Sequence, residues 1–355
     1  MVGFQQLLHY DIKSDKNNNN FFSDTTFFLK ILIFLNSALW KGFSFINIVF
    51  YCTFAPRFLK EIYMKIIDGK KIANEIKDEI ADKVKKMMKE GQPVPHLAAV
   101  IVGDDGAAKT YVDSICKACK EVGFVSSIYH YPTEIKEEDF LQALDFLNND
   151  DDIDGYIIQM PLPKHISMEK VVAHVDPKKD VDCFHPVNNG KLLLGDADFL
   201  PATPYGTVEL MRRSGISPKG KHCVVLGRSN IVGKPLALLL AEKSDTGDAT
   251  VTLCHSRTLN LKEVCATADI LLVAIGKPEM ITADDVIEGA TVIDIGIHRL
   301  PDEKSEKGYR ICGDVKYDEV AKKCEAITPV PGGVGPMTMT CLLLNTLHAR
   351  ELHRK

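Results

Sequence analysis

The chain has 355 residues, room for two domains with cores of their own at ~100–200 residues each. Hydrophobic content of 45% and charged content of 26% are those of a globular protein. A formal net charge of -5, with no basic run carrying interleaved aromatics after Met64, argues against a nucleic-acid partner.

Residues 1–63 differ in kind from the rest of the chain. Asn17 to Asn20 is a homopolymer, and Phe27 to Phe54 is crowded with Phe, Ile and Leu. Lys30 and Lys41 interrupt that stretch, whereas a membrane span wants ~20 apolar residues. Acidic and Asn-rich residues stand where a secretory signal has its basic start. Two readings stay open. The preferred one takes Met64 as the biological start and residues 1–63 as a gene-model extension outside the fold; the other is a loose membrane anchor.

From Met64 onward, strand-length apolar runs alternate with helical patterns. Met64 to Ala73 reads as a strand, a turn and a helix start. Ile72, Ile76, Ile80, Val84 and Met88 mark one face of an amphipathic helix. His96 to Val102 is a continuous apolar strand, followed by a helix through Tyr111 to Val122 and a strand near Val125 to Tyr129. A helix from about Glu137 to Leu147 precedes the strand Gly155 to Gln159. Pro201-Ala202-Thr203-Pro204 is read as a hinge. Beyond it, strands fall at His222 to Leu226, Thr250 to Cys254, Ile270 to Ala274 and Thr291 to Asp294, with a short one at Ala326 to Thr328. The last helix, about Pro336 to Arg350, is long enough to cross back onto the first domain.

Strands without alternation, separated by helices, imply parallel sheets covered on both faces. The expected class is α/β: two doubly wound domains with a cleft between them, the second Rossmann-like. Residues 64–204 with 330–355 are expected to form one domain, and 205–329 the other. Of ten cysteines, Cys223, Cys254, Cys265 and Cys341 sit inside apolar runs, as reduced thiols of a cytoplasmic protein do. The one C-x-x-C, Cys116 to Cys119, lacks the second pair a zinc site needs, so it is read as two cysteines of one helix and no metal is expected.

Gly227-Arg228-Ser229-Asn230-Ile231-Val232-Gly233 follows a predicted strand and opens the helix Pro235 to Glu242. Such a turn presents free backbone N–H groups and a favourable dipole to a pyrophosphate. A plain tight turn is the bland alternative. The next strand ends in Cys254-His255-Ser256-Arg257-Thr258, without the acidic residue that NAD-binding folds usually place there to hold the ribose hydroxyls. A carboxylate would repel a 2′-phosphate, while Arg228, Ser256 and Arg257 can bind one, so NADP is the favoured cofactor.

Further motifs bracket this turn in a fixed order: Gln159-Met160-Pro161-Leu162-Pro163, Lys179-Asp180-Val181-Asp182, Pro201 to Gly206, and Pro331-Gly332-Gly333-Val334-Gly335-Pro336-Met337-Thr338. Together they resemble the methylenetetrahydrofolate dehydrogenase/cyclohydrolase family, over Met64 to about Glu351. The resemblance implies two steps in one cleft: NADP-dependent oxidation of 5,10-methylenetetrahydrofolate to the methenyl cation, then its hydrolysis to 10-formyltetrahydrofolate. It also implies tetrahydrofolate one-carbon derivatives as substrates and a homodimer paired through the cofactor domains. By the same resemblance Tyr111 stacks against the folate, Asp182 accepts hydrogen bonds from the pterin ring, and Gln159 orients a catalytic lysine. Pro331, Gly332 and Gly333 lie in a loop closing over substrate and nicotinamide. Gly227, Arg228, Ser229, Gly233 and Ser256 face the cofactor, and Ile297 offers it a backbone contact.

Three positions depart from the family pattern. Ile115 stands where the catalytic lysine is usual, Ala108 replaces a serine, and Cys183 replaces a glycine. Isoleucine has no proton to give or take, so hydrolysis is expected to fail while hydride transfer, which depends on positioning two rings, persists. Lys117, about 200° further round the helix at ~3.6 residues per turn, is expected to point away, leaving Lys109 as the one conceivable stand-in. A non-catalytic folate- or nucleotide-binding relative is the rival reading. An unrelated NADP-dependent reductase is opposed by the folate-side motifs.

The compositional break generates a first prediction. A chain beginning at Met64 is expected to be as soluble and as active as the full one; aggregation of the shorter chain alone would make residues 1–63 part of the fold.

Overall fold

The computed structural model describes residues 64–305 and 308–353, so the readings made for residues 1–63 lie outside the described residues. Helix α1 (Gly69–Lys89) begins at Asp68, whose carboxylate accepts from the Lys71 N–H, and buries Ile72, Ile76, Ile80 and Val84. Met88, expected on that face, is 62% exposed, and Met87 is buried instead. A turn of ~3.6 residues walks a four-residue repeat off the buried stripe.

Strands β2 (His96–Val102), β3 (Val125–Tyr131) and β4 (Gly155–Ile158) form a parallel sheet in the order β3-β2-β4, connected by α2 (Gly106–Val122) and α3 (Glu137–Asn149). The chain then runs through α4 (Met168–His174), α5 (Pro186–Leu194) and α6 (Ala202–Arg213). Pro201 to Pro204, the expected hinge entry, stands at the start of α6. Both prolines fall at the cap and first turn, where a missing N–H leaves no helical bond unmade.

The second sheet has six parallel strands. Its members are β5 (His222–Leu226), β6 (Thr250–Cys254), β7 (Ile270–Val273), β8 (Thr291–Asp294) and β11 (Ala326–Ile327), with β1 (Lys65–Ile66) on the outside, in the order β1-β11-β8-β7-β5-β6. Helix α7 (Gly233–Ala241) follows β5, the short α8 (Leu261–Cys265) follows β6, and an antiparallel hairpin of β9 (His298–Pro301) and β10 (Tyr309–Cys312) follows β8. Strand order reverses between β5 and β7, the place where open α/β sheets bind ligands beyond their carboxyl ends. Among the described residues no helix is long and apolar enough to cross a membrane.

The unalternating strands are explained by burial on both faces. Leu97, Ala99 and Ile101 of β2 join one core with Cys223 and Val225 of β5, while Ala98, Val100 and Val102 pack beneath Phe140, Leu144 and Leu147 of α3. Val224 and Leu226 face a third cluster with Leu271, Val273 and Val292. The two sheets also begin alike. The His96 N–H donates to Asp154 (2.8 Å), and its ring nitrogens meet the Asp152 carbonyl and Ser127 Oγ. The His222 N–H donates to Asp269 (2.8 Å), and its ring meets the Thr267 carbonyl and Thr252 Oγ1.

The last helix, α9 (Tyr317–Val320) being a single turn before β11, is α10 (Val334–Leu352). As expected it crosses back. Its Arg350 pairs with buried Asp154 at 3.1 Å, and Asn345 Nδ2 donates to the carbonyls of Val181 (2.7 Å) and Leu200 (2.8 Å). Asn345 is buried, so Asn345→Ala would orphan both carbonyls. A loss of ~1–3 kcal/mol in urea unfolding is expected; unchanged stability would mean that water reaches them.

Candidate active site

The loop between α4 and α5 is built around a buried carboxylate. Asp180 accepts from the N–H groups of Phe184 (3.0 Å) and His185 (2.8 Å) and from Asn188 Nδ2 (2.8 Å). Lys179 is buried with its ammonium on the carbonyls of Leu147 (2.8 Å) and Asp150 (2.6 Å). With Lys179 and Asp180 fixed and the Val181 carbonyl held by Asn345, the residues leading into Asp182 are tied down. Cys183 adopts φ 59°, a left-handed backbone, which accounts physically for glycine in the family pattern. Its thiol donates to the Phe199 carbonyl at 3.1 Å.

Asp182 differs from Asp180: among the described residues no group donates to its half-buried carboxylate. Burial first, and the Asp180 charge second, push its pKa up to about 7. Tyr111 lies close enough for the Asp182 charge to add to desolvation in pushing its phenol to about 12. The structure thus brings Tyr111, 40% exposed on α2, to Asp182. A hollow lined by Ile158, Met160, Asp182 and Phe184 opens beside them.

Ile115 sits one turn further along α2, 1% exposed, within the apolar cluster that holds Val112, Cys119 and Ile157. Ala108 is buried as well. Lys117 is exposed, as the helical angle requires. Lys109, the conceivable stand-in, is engaged with Asp104 at 2.6 Å on the exposed surface. Gln159 follows β4, where its N–H donates to the Val100 carbonyl (2.8 Å) and its side-chain amide turns to the Met160 carbonyl (2.7 Å). The Met160–Pro161 bond is cis. Cys116 and Cys119 lie on α2 as reduced thiols, the predicted helix pair.

The glycine turn joins β5 to α7. Gly227 has φ 134°, and a Cβ there would stand 2.2 Å from the Ala274 carbonyl oxygen. A Cβ on Gly233 would stand 1.9 Å from the Gly227 oxygen, so both positions demand glycine. Ser229 Oγ accepts from the Val232 N–H at 3.1 Å and tightens the turn. Among the described residues exposed Arg228 has no side-chain partner, and the Gly227 N–H donates to the Cys254 carbonyl (2.9 Å), which brings exposed Ser256 and Arg257 to the same strand ends. No carboxylate stands beside them at the end of β6. The residues present therefore suit a dinucleotide carrying a further phosphate.

Pro331, Gly332 and Gly333 cap the sheet beyond β11, with the Val330–Pro331 bond cis and Gly332 at φ 111°. The Lys70 N–H donates to the Gly332 carbonyl (3.0 Å), and a Cβ on Gly69 would meet the Gly333 oxygen at 1.8 Å. Ile297, 65% exposed, follows β8. Sequence reasoning missed three contributors: Asn345, Gly69 and the buried pair Asp294 and Asp314. Their partners lie far away in sequence, and only the abrupt glycine of Asp68-Gly69 was a local sign.

Fold and site define an α/β protein with a nucleotide-type glycine turn on one sheet and an unpaired carboxylate beside an aromatic ring on the other. Residues 67–182 match the model for the catalytic domain of tetrahydrofolate dehydrogenase/cyclohydrolase, and residues 201–354 the model for its NAD(P)-binding domain. The bifunctional protein FolD of Porphyromonas gingivalis is 55% identical over 291 residues, covering 82% of this chain and 98% of that protein. That of Cytophaga hutchinsonii is 54% identical, over 81% of this chain and 100% of its own length. The crystal structure of the Campylobacter jejuni enzyme FolD is 42% identical with a TM-score of 0.76, covering 81% of this chain and 99% of that one. The Trypanosoma brucei enzyme, solved with NADP and an inhibitor, is 35% identical with a TM-score of 0.77, covering 82% and 99%. The chain belongs to the tetrahydrofolate dehydrogenase/cyclohydrolase family.

Proposed function

We propose that this chain is an NADP-dependent 5,10-methylenetetrahydrofolate dehydrogenase in which hydrolysis of the methenyl product is lost or strongly reduced. The observation that carries the reading is the contrast along α2: Tyr111 exposed and within electrostatic reach of Asp182, and Ile115 buried one turn further along. In this reading residues 64–204 with 330–355 hold the folate and 205–329 hold NADP, in a cytoplasmic homodimer.

Asp182 accepts the ring and amino N–H groups of the pterin, and its lack of any protein donor supports that role. Tyr111 stacks on the ring system. The Gly227 turn and the α7 N-terminus hold the pyrophosphate, with Arg228 and Ser256 on the 2′-phosphate. The bound NADP supplies the hydride acceptor. Orientation of two rings is what the chain contributes to that step, and no protein proton is needed. Hydrolysis of the methenyl cation does need proton management, and Ile115 offers none. Lys109, the conceivable stand-in, is paired with Asp104 on the exposed surface. An intact glycine turn on one sheet, together with the Asp182 pocket on the other, disfavours a non-catalytic binding relative.

The direct test mixes protein, NADP and methylenetetrahydrofolate and follows NADPH absorbance. A rise is expected; none would favour the non-catalytic relative. Arg228→Ala is expected to weaken NADP binding by ~1.5–3 kcal/mol, as for a charged hydrogen bond, and NAD binding far less. Equal losses would show that Arg228 does not read the 2′-phosphate. Folate binding is expected to depend on pH through Asp182, raised to about 7 in the free protein by burial and the Asp180 charge. Only the carboxylate accepts two N–H groups, so affinity is level above pH ~7 and falls about tenfold per unit below it. Asp182→Asn is expected to weaken binding and flatten that dependence; an unchanged profile would remove Asp182 from the role.

A further inference from the structure

One buried charged cluster is not used by the chemistry above. Asp294 ends β8 and Asp314 follows β10, and they are 3% and 0% exposed. One Asp314 oxygen accepts from the N–H groups of Ile275 (2.8 Å) and Gly276 (2.9 Å), just past β7. The other meets His298 Nε2 at 2.7 Å, and since an ionised carboxylate only accepts, that nitrogen carries the proton. Asp294 in turn accepts from the N–H groups of Gly296 (3.0 Å), Asp314 (3.0 Å) and Val315 (2.9 Å). The packing leaves no slack. A Cβ on Gly296 would stand 2.4 Å from Asp314 Cγ, and one on Gly313 would stand 1.9 Å from Asp294 Oδ2.

Three loops are thereby tied to one another: 275–276, 296–298 and 313–315. The first of them borders the glycine turn, since β7 lies beside β5 at the reversal of strand order. The Ala274 carbonyl abuts Gly227, Gly276 has open space where a Cβ would be, and Ile297 stands exposed. Asp314 itself is out of reach of any ligand. We propose that Asp314, oriented by His298, is a positioning residue for the cofactor: it sets the 275–276 and 296–298 backbones opposite the Gly227 turn and acts through them. The inference rests on the NADP reading of that turn. Tyr111 and Asp182 belong to elements of the other sheet and share none of these bonds, so the effect is confined to one ligand.

The test measures dissociation constants of NADP and of tetrahydrofolate, with the thermal unfolding midpoint, for the full chain, Asp314→Asn and His298→Ala. Asp314→Asn keeps the size but turns one acceptor into a donor facing either the two N–H groups or His298. With the loop backbones released from charge-assisted hydrogen bonds, NADP is expected to bind at least about tenfold more weakly to Asp314→Asn, and about three- to tenfold more weakly to His298→Ala. Tetrahydrofolate binding is expected to stay within about twofold and the midpoint within a few degrees. If Asp314→Asn does not fold, the exposed-edge variant His298→Ala decides by the same comparison. NADP binding within twofold of the unaltered chain, or parallel losses for both ligands, overturns the inference. An unaltered chain that binds no NADP overturns the cofactor reading itself and the inference with it.

Discussion

Two parallel sheets each have two faces to cover, and the helices α1, α6 and α10 cover one face of both at once. That shared burial is the constraint on which the rest depends. Ile76 and Val84 of α1, Val208 and Met211 of α6, and Met337, Leu343 and Leu347 of α10 lie in the same core as inward residues of β2 and β5. The approach of α6 to α10 is close enough that a Cβ on Gly206 would meet Met337 at 3.0 Å. Because the apolar contact is non-directional, polar bonds fix where α10 stops: Thr203 to Thr338 near its start, Asn345 in its middle and Arg350 to Asp154 at its end. The loop that presents Asp182 and the loop of Pro331 to Gly333 are both tied to elements of this layer, so the two sides of the site keep one geometry.

Charge is handled differently in the structural and functional loops. Asp180, Asp294 and Asp314 are buried with several N–H donors each, and burial still leaves Asp294 raised to about 6. Asp182 has burial without donors, which is why its pKa is pushed furthest, to about 7. A group left unsatisfied by its own protein is the one available to a ligand. Arg228 stands in the same relation to the cofactor side, exposed and without a partner beside a turn that has no room for side chains.

Most of the fold is legible in the sequence because the inner strands of both sheets are buried on both faces and so print continuous apolar runs. The helices α4, α5 and α6 are not legible, because they are short or begin in proline-rich sequence whose breakers look like loop signals. The hairpin β9–β10 is hidden for a similar reason: its strands are half-exposed and four residues long. Site residues are legible where a local pattern carries the chemistry, as with Gly227 to Gly233, and through the family resemblance for Tyr111, Gln159 and Asp182. Asn345 and Asp314 are invisible, since each works on backbone groups that only folding brings near. Ile115 is the opposite case. Its sequence position flags it, and the structure adds that the side chain is sealed in an apolar cluster rather than facing water.

That burial makes the position a demanding one for a lysine. A lysine there would be desolvated, which lowers its pKa toward the range where it exchanges protons at neutral pH. The measurement that tests the account most directly supplies methenyltetrahydrofolate to the unaltered chain and to Ile115→Lys and follows decay of its absorbance against buffer. The unaltered chain is expected to hydrolyse it near the background rate, since loss of a positioned acid–base group costs ~100- to 10,000-fold, and Ile115→Lys to recover part of that factor. Hydrolysis by the unaltered chain far above background would contradict the account.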